Sequence, residues 1–132
     1  MELEISQREI DGLVILDLRG RLLMGESESL LRRTILALRS RGRVKVILNF
    51  EELKDIDDDG LSALVYCCAV LRRAGGDLKL ASLDRVHMEL LVMVKLDSVF
   101  DVFEDENDAI NSFFPDRDTR RLDVLAFVKS LR

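Results

Sequence analysis

Two apolar segments near the middle of the chain dominate its pattern of hydrophobic and polar positions. The first, Val44 to Phe50, is almost entirely apolar and predicts a strand that is buried on both faces. Residues 51–55 are polar and predict a loop. The second segment, Leu61 to Leu71, has Ser62 as its one strongly polar residue. It predicts a helix that is covered on two sides, or one whose outer face has another use.

Shorter apolar and polar alternations predict the remaining elements. In chain order they are strands over 2–10 and 13–18, a helix over 26–40, a strand over 78–82, a helix over 83–94, a strand over 99–103 and a helix over 104–114. Asp11-Gly12 is a hairpin signal, Gly20 predicts the end of the second strand, and Gly75-Gly76 predicts the end of the central helix. The alternation predicts an α/β fold with a mixed, mostly parallel sheet, an N-terminal hairpin and about four helices.

Residues 115–132 have a pattern of their own. Pro115 marks a boundary, and polar residues follow it. The apolar residues then recur at three-residue steps: Leu122, Leu125, Val128 and Leu131. This spacing predicts a short amphipathic helix that either packs across the domain or binds a second copy or another partner. The chain therefore divides into a domain over 1–114 and a helical extension over 115–132.

Composition and charge narrow the function classes. A chain of 132 residues with 48% hydrophobic and 34% charged residues suits one globular domain. Its net charge of −5 disfavours nucleic acid as a partner. No apolar run approaches the roughly 20 residues of a membrane span, and the acidic start MELEIS is unlike a signal peptide. We therefore expect a cytoplasmic protein with neither a nucleic-acid nor a membrane partner.

The residues that commonly perform catalysis are isolated in this sequence. Cys67 and Cys68 are chain neighbours, too close for an ordinary disulfide, and are predicted to be core residues. His87 lies in an apolar segment without a second ligand, which predicts a structural histidine that is hydrogen-bonded or half-exposed. The sequence contains no GxSxG, P-loop or GxGxxG motif. We therefore expect no enzymatic activity, no cofactor and no metal.

Three consecutive aspartates, Asp57, Asp58 and Asp59, precede the central helix. One aspartate is enough to cap a helix N-terminus, so the other two add mutually repelling charge. A Mg²⁺ site or a phosphorylated aspartate of the response-regulator kind are alternatives. The latter needs acidic residues after the first strand and a lysine after the last, and the sequence has neither in place.

Four segments together resemble a STAS domain, and within that family the bacterial anti-sigma factor antagonists. The segments are GRL at 20–22, VILNFEELKDIDDDGLSALV at 46–65, GGDLKLASL at 75–83 and KLDSVFDVFEDENDAINSF at 95–113. The resemblance covers about residues 2–114. It implies binding to a partner that is both anti-sigma factor and serine kinase. In that family the kinase phosphorylates a serine after the first Asp, and the phosphorylated antagonist releases its partner.

The chain departs from the family pattern at this phosphorylation position. By the resemblance Asp57 matches the family Asp and Gly60 the family Gly, so Asp58 lies at the phospho-acceptor position and Asp59 beside it. The nearest hydroxyl belongs to Ser62. The resemblance therefore implies a fixed negative charge where relatives carry a removable phosphate of roughly −1.5 to −2 charge. Two consequences stay open: the protein is locked in the phosphorylated-like state and does not respond to a standard kinase, or it binds a partner with a basic complementary surface.

The resemblance and the helix pattern together predict a docking surface. With Leu61, Leu64, Val65, Cys68 and Leu71 toward the sheet, the outer face offers Ser62, Tyr66, Ala69 and Arg73. The predicted partner-binding residues are Asp57, Asp58, Asp59, Gly60, Ser62, Tyr66 and, from the preceding strand–helix loop, Met24, Gly25 and Glu26.

Three alternatives to this interpretation stay open. Another helix or the C-terminal extension could cover the outer face. A scaffolding STAS module could form a homodimer through residues 116–132. A nucleotide-binding module is suggested only by analogy, because the sequence has no phosphate-binding loop.

Overall fold

Five strands and five helices alternate along residues 2–131, the part of the chain that the computed structural model describes. In chain order they are β1 (Glu4–Ile10), β2 (Leu13–Leu22), α1 (Glu26–Ser40), β3 (Lys45–Ile56), α2 (Asp58–Arg73), β4 (Asp77–Ala81), α3 (Arg85–Met93), β5 (Val102–Phe103), α4 (Glu106–Asn111) and α5 (Val124–Ser130). The predicted α/β class is confirmed.

The sheet has the order β1-β2-β3-β4-β5, with one antiparallel pair at its start. β1 and β2 are antiparallel and meet at Asp11 and Gly12, whose φ angles of 54° and 81° suit a tight hairpin turn. The other three pairs are parallel. The predicted mixed, mostly parallel sheet with an N-terminal hairpin is therefore confirmed.

The alternation of side chains along β2 divides the core into two clusters. Val14 and Leu16 belong to the main cluster, which α1, α2, α3 and α5 cover from one side. Leu13 and Ile15 point the other way, into a smaller cluster that includes Ala109 and Ile110 of α4. Residues 13–16 of β2 and 46–48 of β3 are apolar at every position because helices cover both faces of the sheet there.

Two strands are longer than the sequence predicts. The expected loop over 51–55 is wrong, because β3 continues to Ile56, and the expected end at Gly20 is wrong, because β2 continues to Leu22. The two extensions pair with each other, with a register shift after Gly20, whose φ is 101°. Arg19 and Glu52 form an ion pair of 2.6 Å across them. This pairing of distant segments has no local pattern that would predict it.

Three elements after α2 are shorter than the sequence predicts, and aspartates define where two of the helices begin. The predicted strand over 99–103 is reduced to β5, and the helices over 83–94 and 104–114 to α3 and α4. Asp84 and Asp105 accept hydrogen bonds from backbone N–H groups three residues later, at 2.8 and 2.9 Å. The backbone N–H groups in the first turn of a helix have no acceptor within the helix, and these aspartates supply one. Each helix therefore begins directly after its aspartate.

The isolated cysteines and histidine lie in the interior. Cys67 and Cys68 are buried and free, and burial raises the pKa of the Cys67 thiol to about 12. The prediction of a hydrogen-bonded or half-exposed His87 is wrong, since this residue is 4% exposed. Its Nδ1 lies 3.1 Å from Asp84 but makes no hydrogen bond there. The ring packs edge-on against Phe50 instead.

The C-terminal extension lies along the edge of the sheet and then on its main face. Arg121 forms an ion pair with Asp101 at 3.0 Å, and the backbone N–H of Leu122 donates to the carbonyl of Val102 at 2.7 Å. α5 then packs on α3, with Val124 and Val128 in the main cluster. Of the four apolar residues in the predicted amphipathic pattern, Val128 lies in the main cluster and Leu122 packs against it, so half of the pattern is used within this chain.

Candidate functional site

Asp57 connects the end of β2 with the start of α2. One carboxylate oxygen accepts from the backbone N–H of Gly60 at 2.9 Å, and the other from that of Met24 at 2.9 Å. The bond from Met24, then that from Gly60, hold the pKa of Asp57 below its ordinary value. Asp57 thus acts as a clamp between two segments 33 residues apart. Both of its carboxylate oxygens already accept hydrogen bonds from backbone N–H groups.

Gly60 allows this close approach. A Cβ atom at this position would lie 2.3 Å from the carbonyl oxygen of Leu22 and 2.8 Å from a side-chain carbon of Ile56. Because the first of these contacts is with backbone, no side-chain movement relieves it. The glycine at the start of α2 therefore permits the helix to lie directly against the end of β2, and it offers no side chain to a partner.

Asp58 and Asp59 differ from Asp57 in their surroundings. Both are exposed in the first turn of α2, and neither forms an ion pair within residues 2–131. The positive end of the helix dipole stabilises them without neutralising the charge that solvent sees. The acidic end of α2 thus presents two free carboxylates.

The loop between β2 and α1 lies at the same end of the sheet. Met24 is 72% exposed although its backbone N–H is held by Asp57. Gly25 has a φ of 101°, and Glu26 is exposed, with its carboxylate 3.9 Å from Arg33. The structure therefore brings the three predicted loop residues beside the acidic end of α2, as the topology implies.

The outer face of α2 is partly covered by α1. Ser62 is exposed, but the ring of Tyr66 lies beneath the guanidinium of Arg32, 4.8 Å from its centroid. Arg32 is in turn held by Glu28 at 2.7 Å. The Tyr66 side chain keeps 39% of its surface exposed. α1 therefore covers one side of α2, and Asp59, Ser62 and Tyr66 stay exposed on the part of α2 that follows Asp58.

A groove between α2 and the end of α3 was missed by the sequence analysis. It has a volume of about 390 Å³. Its lining consists of Asp58, Leu61, Ser62, Val65, Val94 and Leu96. The sequence prediction turned Val65 toward the sheet, whereas it is half-buried and lines this groove. The only sequence signal was the excess of apolar residues along α2 and α3.

Neither a metal site nor a membrane span is found in the part of the chain described. Across residues 2–131 no three His, Cys, Asp or Glu side chains converge so as to hold a metal ion. The Mg²⁺ interpretation of the three aspartates therefore has no geometric support. None of the helices in these residues is both long enough and apolar enough to cross a membrane.

Comparisons with known proteins identify the fold and the family. A model of the STAS domain matches residues 4–109. A candidate anti-sigma factor antagonist from Thermotoga maritima superposes with a TM-score of 0.76 at 20% identity, over 82% of this chain and 92% of that chain. The Bacillus anti-sigma factor antagonist SpoIIAA, unphosphorylated, has a TM-score of 0.68 at 17% identity, over 85% and 99%. No curated protein matches the sequence.

The fold also occurs in a different functional setting. A sulfate transporter family protein from Wolinella succinogenes has a TM-score of 0.65 at 18% identity, over 92% of this chain and 88% of that chain. At such identities these structures establish the fold alone. The family model is the stronger finding, because it spans most of the sequence, from β1 into α4. The chain therefore belongs to the STAS domain family.

Proposed function

We propose that this protein is an anti-sigma factor antagonist that binds an anti-sigma factor of the serine kinase type in the cytoplasm, without catalysing a reaction. The observation that carries the proposal is the acidic end of α2, where the free carboxylate of Asp58 lines an apolar groove and exposed Asp59 is its chain neighbour. A polar rim around an apolar centre is typical of protein interfaces. The antagonists from Thermotoga maritima and Bacillus, which share the fold, support the choice of partner.

We assign Asp58 to the phospho-acceptor position from the resemblance described above. An aspartate carries one charge and two oxygens, against roughly two charges and three oxygens for a phosphoserine. The position therefore carries a permanent, smaller anion, and phosphorylation there does not control the association. The partner surface that meets it is basic, because a carboxylate at a docking rim favours an opposite charge.

Calorimetry with purified serine-kinase-type anti-sigma factors of the source organism tests the association. We expect one of them to bind the wild-type protein, and Asp58→Asn to weaken binding about fivefold and reduce its salt dependence. Asp118→Asn is the matched control. It removes the same charge near Arg117, which pairs with Asp11 at the opposite end of the sheet. Equal affinities of Asp58→Asn and wild type would contradict the proposed interface.

Incubation of the same two proteins with ATP, followed by intact-mass measurement, tests whether this protein lacks the phosphorylation site of its relatives. We expect no added phosphate on the wild-type protein and one on Asp58→Ser. A phosphate on the wild-type chain, located at Ser62 by peptide mapping, would show that a neighbouring hydroxyl has taken over the role. No binding to any of these anti-sigma factors would reject the proposed function as a whole.

The scaffolding alternative, a homodimer through the C-terminal extension, has less support. Val128 lies in the main cluster of the same chain and Leu122 packs against it, and these are two of the four apolar residues predicted for such a dimer. Size-exclusion chromatography of the full chain and of residues 1–115 separates the two functions. A dimer that is lost on truncation would favour scaffolding.

A further inference from the structure

A second groove lies between α3 and the C-terminal helix α5. It has a volume of about 390 Å³ and is lined by Glu89, Val92, Met93, Val128 and Leu131. Met93 is 75% exposed and Leu131 is 39% exposed. Exposed apolar side chains that gather around a concave surface are typical of an interaction site, whereas scattered ones are not.

The two grooves adjoin at the C-terminal end of α3. Val92 and Met93 line the groove toward α5, and Val94 and Leu96 line the groove toward α2. The exposed apolar side chains of Met93 and Val94, which are neighbours in the chain, therefore belong to the two grooves in turn. The family model ends at residue 109, so α5 lies outside the matched residues.

The charges along this surface distinguish between its potential occupants. The extension itself is already packed through Val124 and Val128, so it cannot also fill the groove that it lines. A symmetric dimer would place the same patch on both sides. Neither groove is lined by Lys or Arg within the described residues, whereas Asp58 and Glu89 line them. Glu89 already lies 3.6 Å from Arg85 on its own helix, so Asp58 is the carboxylate that remains free. A second copy would bring another Asp58 without a matching cation, which a basic partner supplies.

We propose that α5 forms the second half of the docking surface, and that a basic, amphipathic surface of the anti-sigma factor occupies both grooves. This inference rests on the proposed function and extends it. Apolar partner residues contact Met93 and Leu131, while basic partner residues meet Asp58 at the far end. The C-terminal extension then contributes to specificity, because it adds apolar contacts outside the residues that the family model matches.

Two pairs of matched variants test the inference by calorimetry with the anti-sigma factor that binds the wild-type chain. Met93→Asp and Leu131→Asp place a charge in the groove between α3 and α5. Val86→Asp and Leu125→Asp are their controls, because these residues are 67% and 39% exposed on the same two helices but line neither groove. All four add the same negative charge, so their long-range attraction to a basic partner is comparable. Thermal midpoints verify that each variant is folded.

We expect Met93→Asp and Leu131→Asp to weaken binding at least about tenfold, and the two controls to change it less than about twofold. Groove and control variants that bind alike, while Asp58→Asn still weakens binding, would overturn this inference and leave the proposed function intact. No binding by the wild-type chain would overturn both. If light scattering shows a wild-type dimer and the Met93→Asp variant is a monomer, the occupant of the grooves is a second copy of this chain and the proposed basic partner is rejected.

Discussion

At the scale of single residues, three adjacent aspartates have different roles although their chemistry is the same. Asp57 lies in the N-cap position, where backbone N–H groups of Gly60 and Met24 point at its two oxygens. Asp58 and Asp59 follow inside the first helical turn, where their side chains are directed to solvent. The clamp stabilises the fold and the free pair remains for recognition, so substitutions should separate the two roles.

Asp57→Ala should lower the free energy of unfolding by about 1–2 kcal/mol, because both backbone donors lose their acceptor. Asp57→Asn should cost less, since its amide oxygen still caps Gly60. The pKa of Asp57 is lowered in the folded state. The advantage of wild type over Asp57→Asn is therefore complete above the ordinary pKa of 3.8 and is lost as the pH falls through the lowered value.

Urea denaturation of both variants and wild type between pH 2 and 7 measures these differences. Asp58→Asn serves as the control, because that carboxylate accepts no backbone bond among the described contacts and its loss should change stability by less than about 0.5 kcal/mol. A gap between wild type and Asp57→Asn that widened toward low pH would contradict the clamp.

At the scale of elements, the C-terminal extension behaves as part of the domain. Its strand-like segment pairs with the edge of the sheet through Leu122 and Val102. α5 has only seven residues, a length that is not stable as an isolated helix. Its stability comes from tertiary contacts, chiefly those of Val124 and Val128, each 3% exposed.

Val128→Ala should lower the free energy of unfolding by about 2 kcal/mol, because it removes two buried methyl groups and leaves a cavity. Lys129→Ala changes the next residue, which is exposed, and should have an effect below about 0.5 kcal/mol. Chemical denaturation followed by far-ultraviolet circular dichroism measures both. Equal stability of the two variants would mean that α5 contributes nothing to the core in solution.

At the scale of the whole molecule, the main cluster joins four helices to one face of the sheet. Cys67 and Cys68 lie at its centre, on α2, and desolvation raises the pKa of both thiols. A thiol reacts as the thiolate. A buried cysteine of raised pKa is therefore protected for two reasons: a reagent cannot reach it, and its thiol stays protonated. Their reactivity therefore reports on opening of the entire core.

Both thiols should resist labelling by a disulfide reagent at pH 8 in the native protein and should react together as denaturant unfolds the chain. The labelled fraction and the circular dichroism signal should follow the same transition. The Cys68→Ala variant isolates Cys67 as a check. Rapid labelling well below the transition would indicate local opening of α2 and would contradict a single cooperative core.

The sequence by itself determined the fold class and the order of the elements. Apolar periodicity, the Asp11-Gly12 turn and the capping residues act within a few neighbouring positions, so they are readable from the chain alone. The resemblance also led to the family, because the segments that carry it keep their order in the sequence. The acidic start of α2 was found in the same way, as a local excess of charge.

Only the tertiary structure decided how these parts meet. The extra length of β3 depends on pairing with β2, and the role of Asp57 depends on the distant backbone of Met24. The two grooves join residues of α2, α3 and α5 that lie far apart in the sequence. Contacts between distant segments depend on how whole helices and strands pack, and local sequence patterns do not predict that packing.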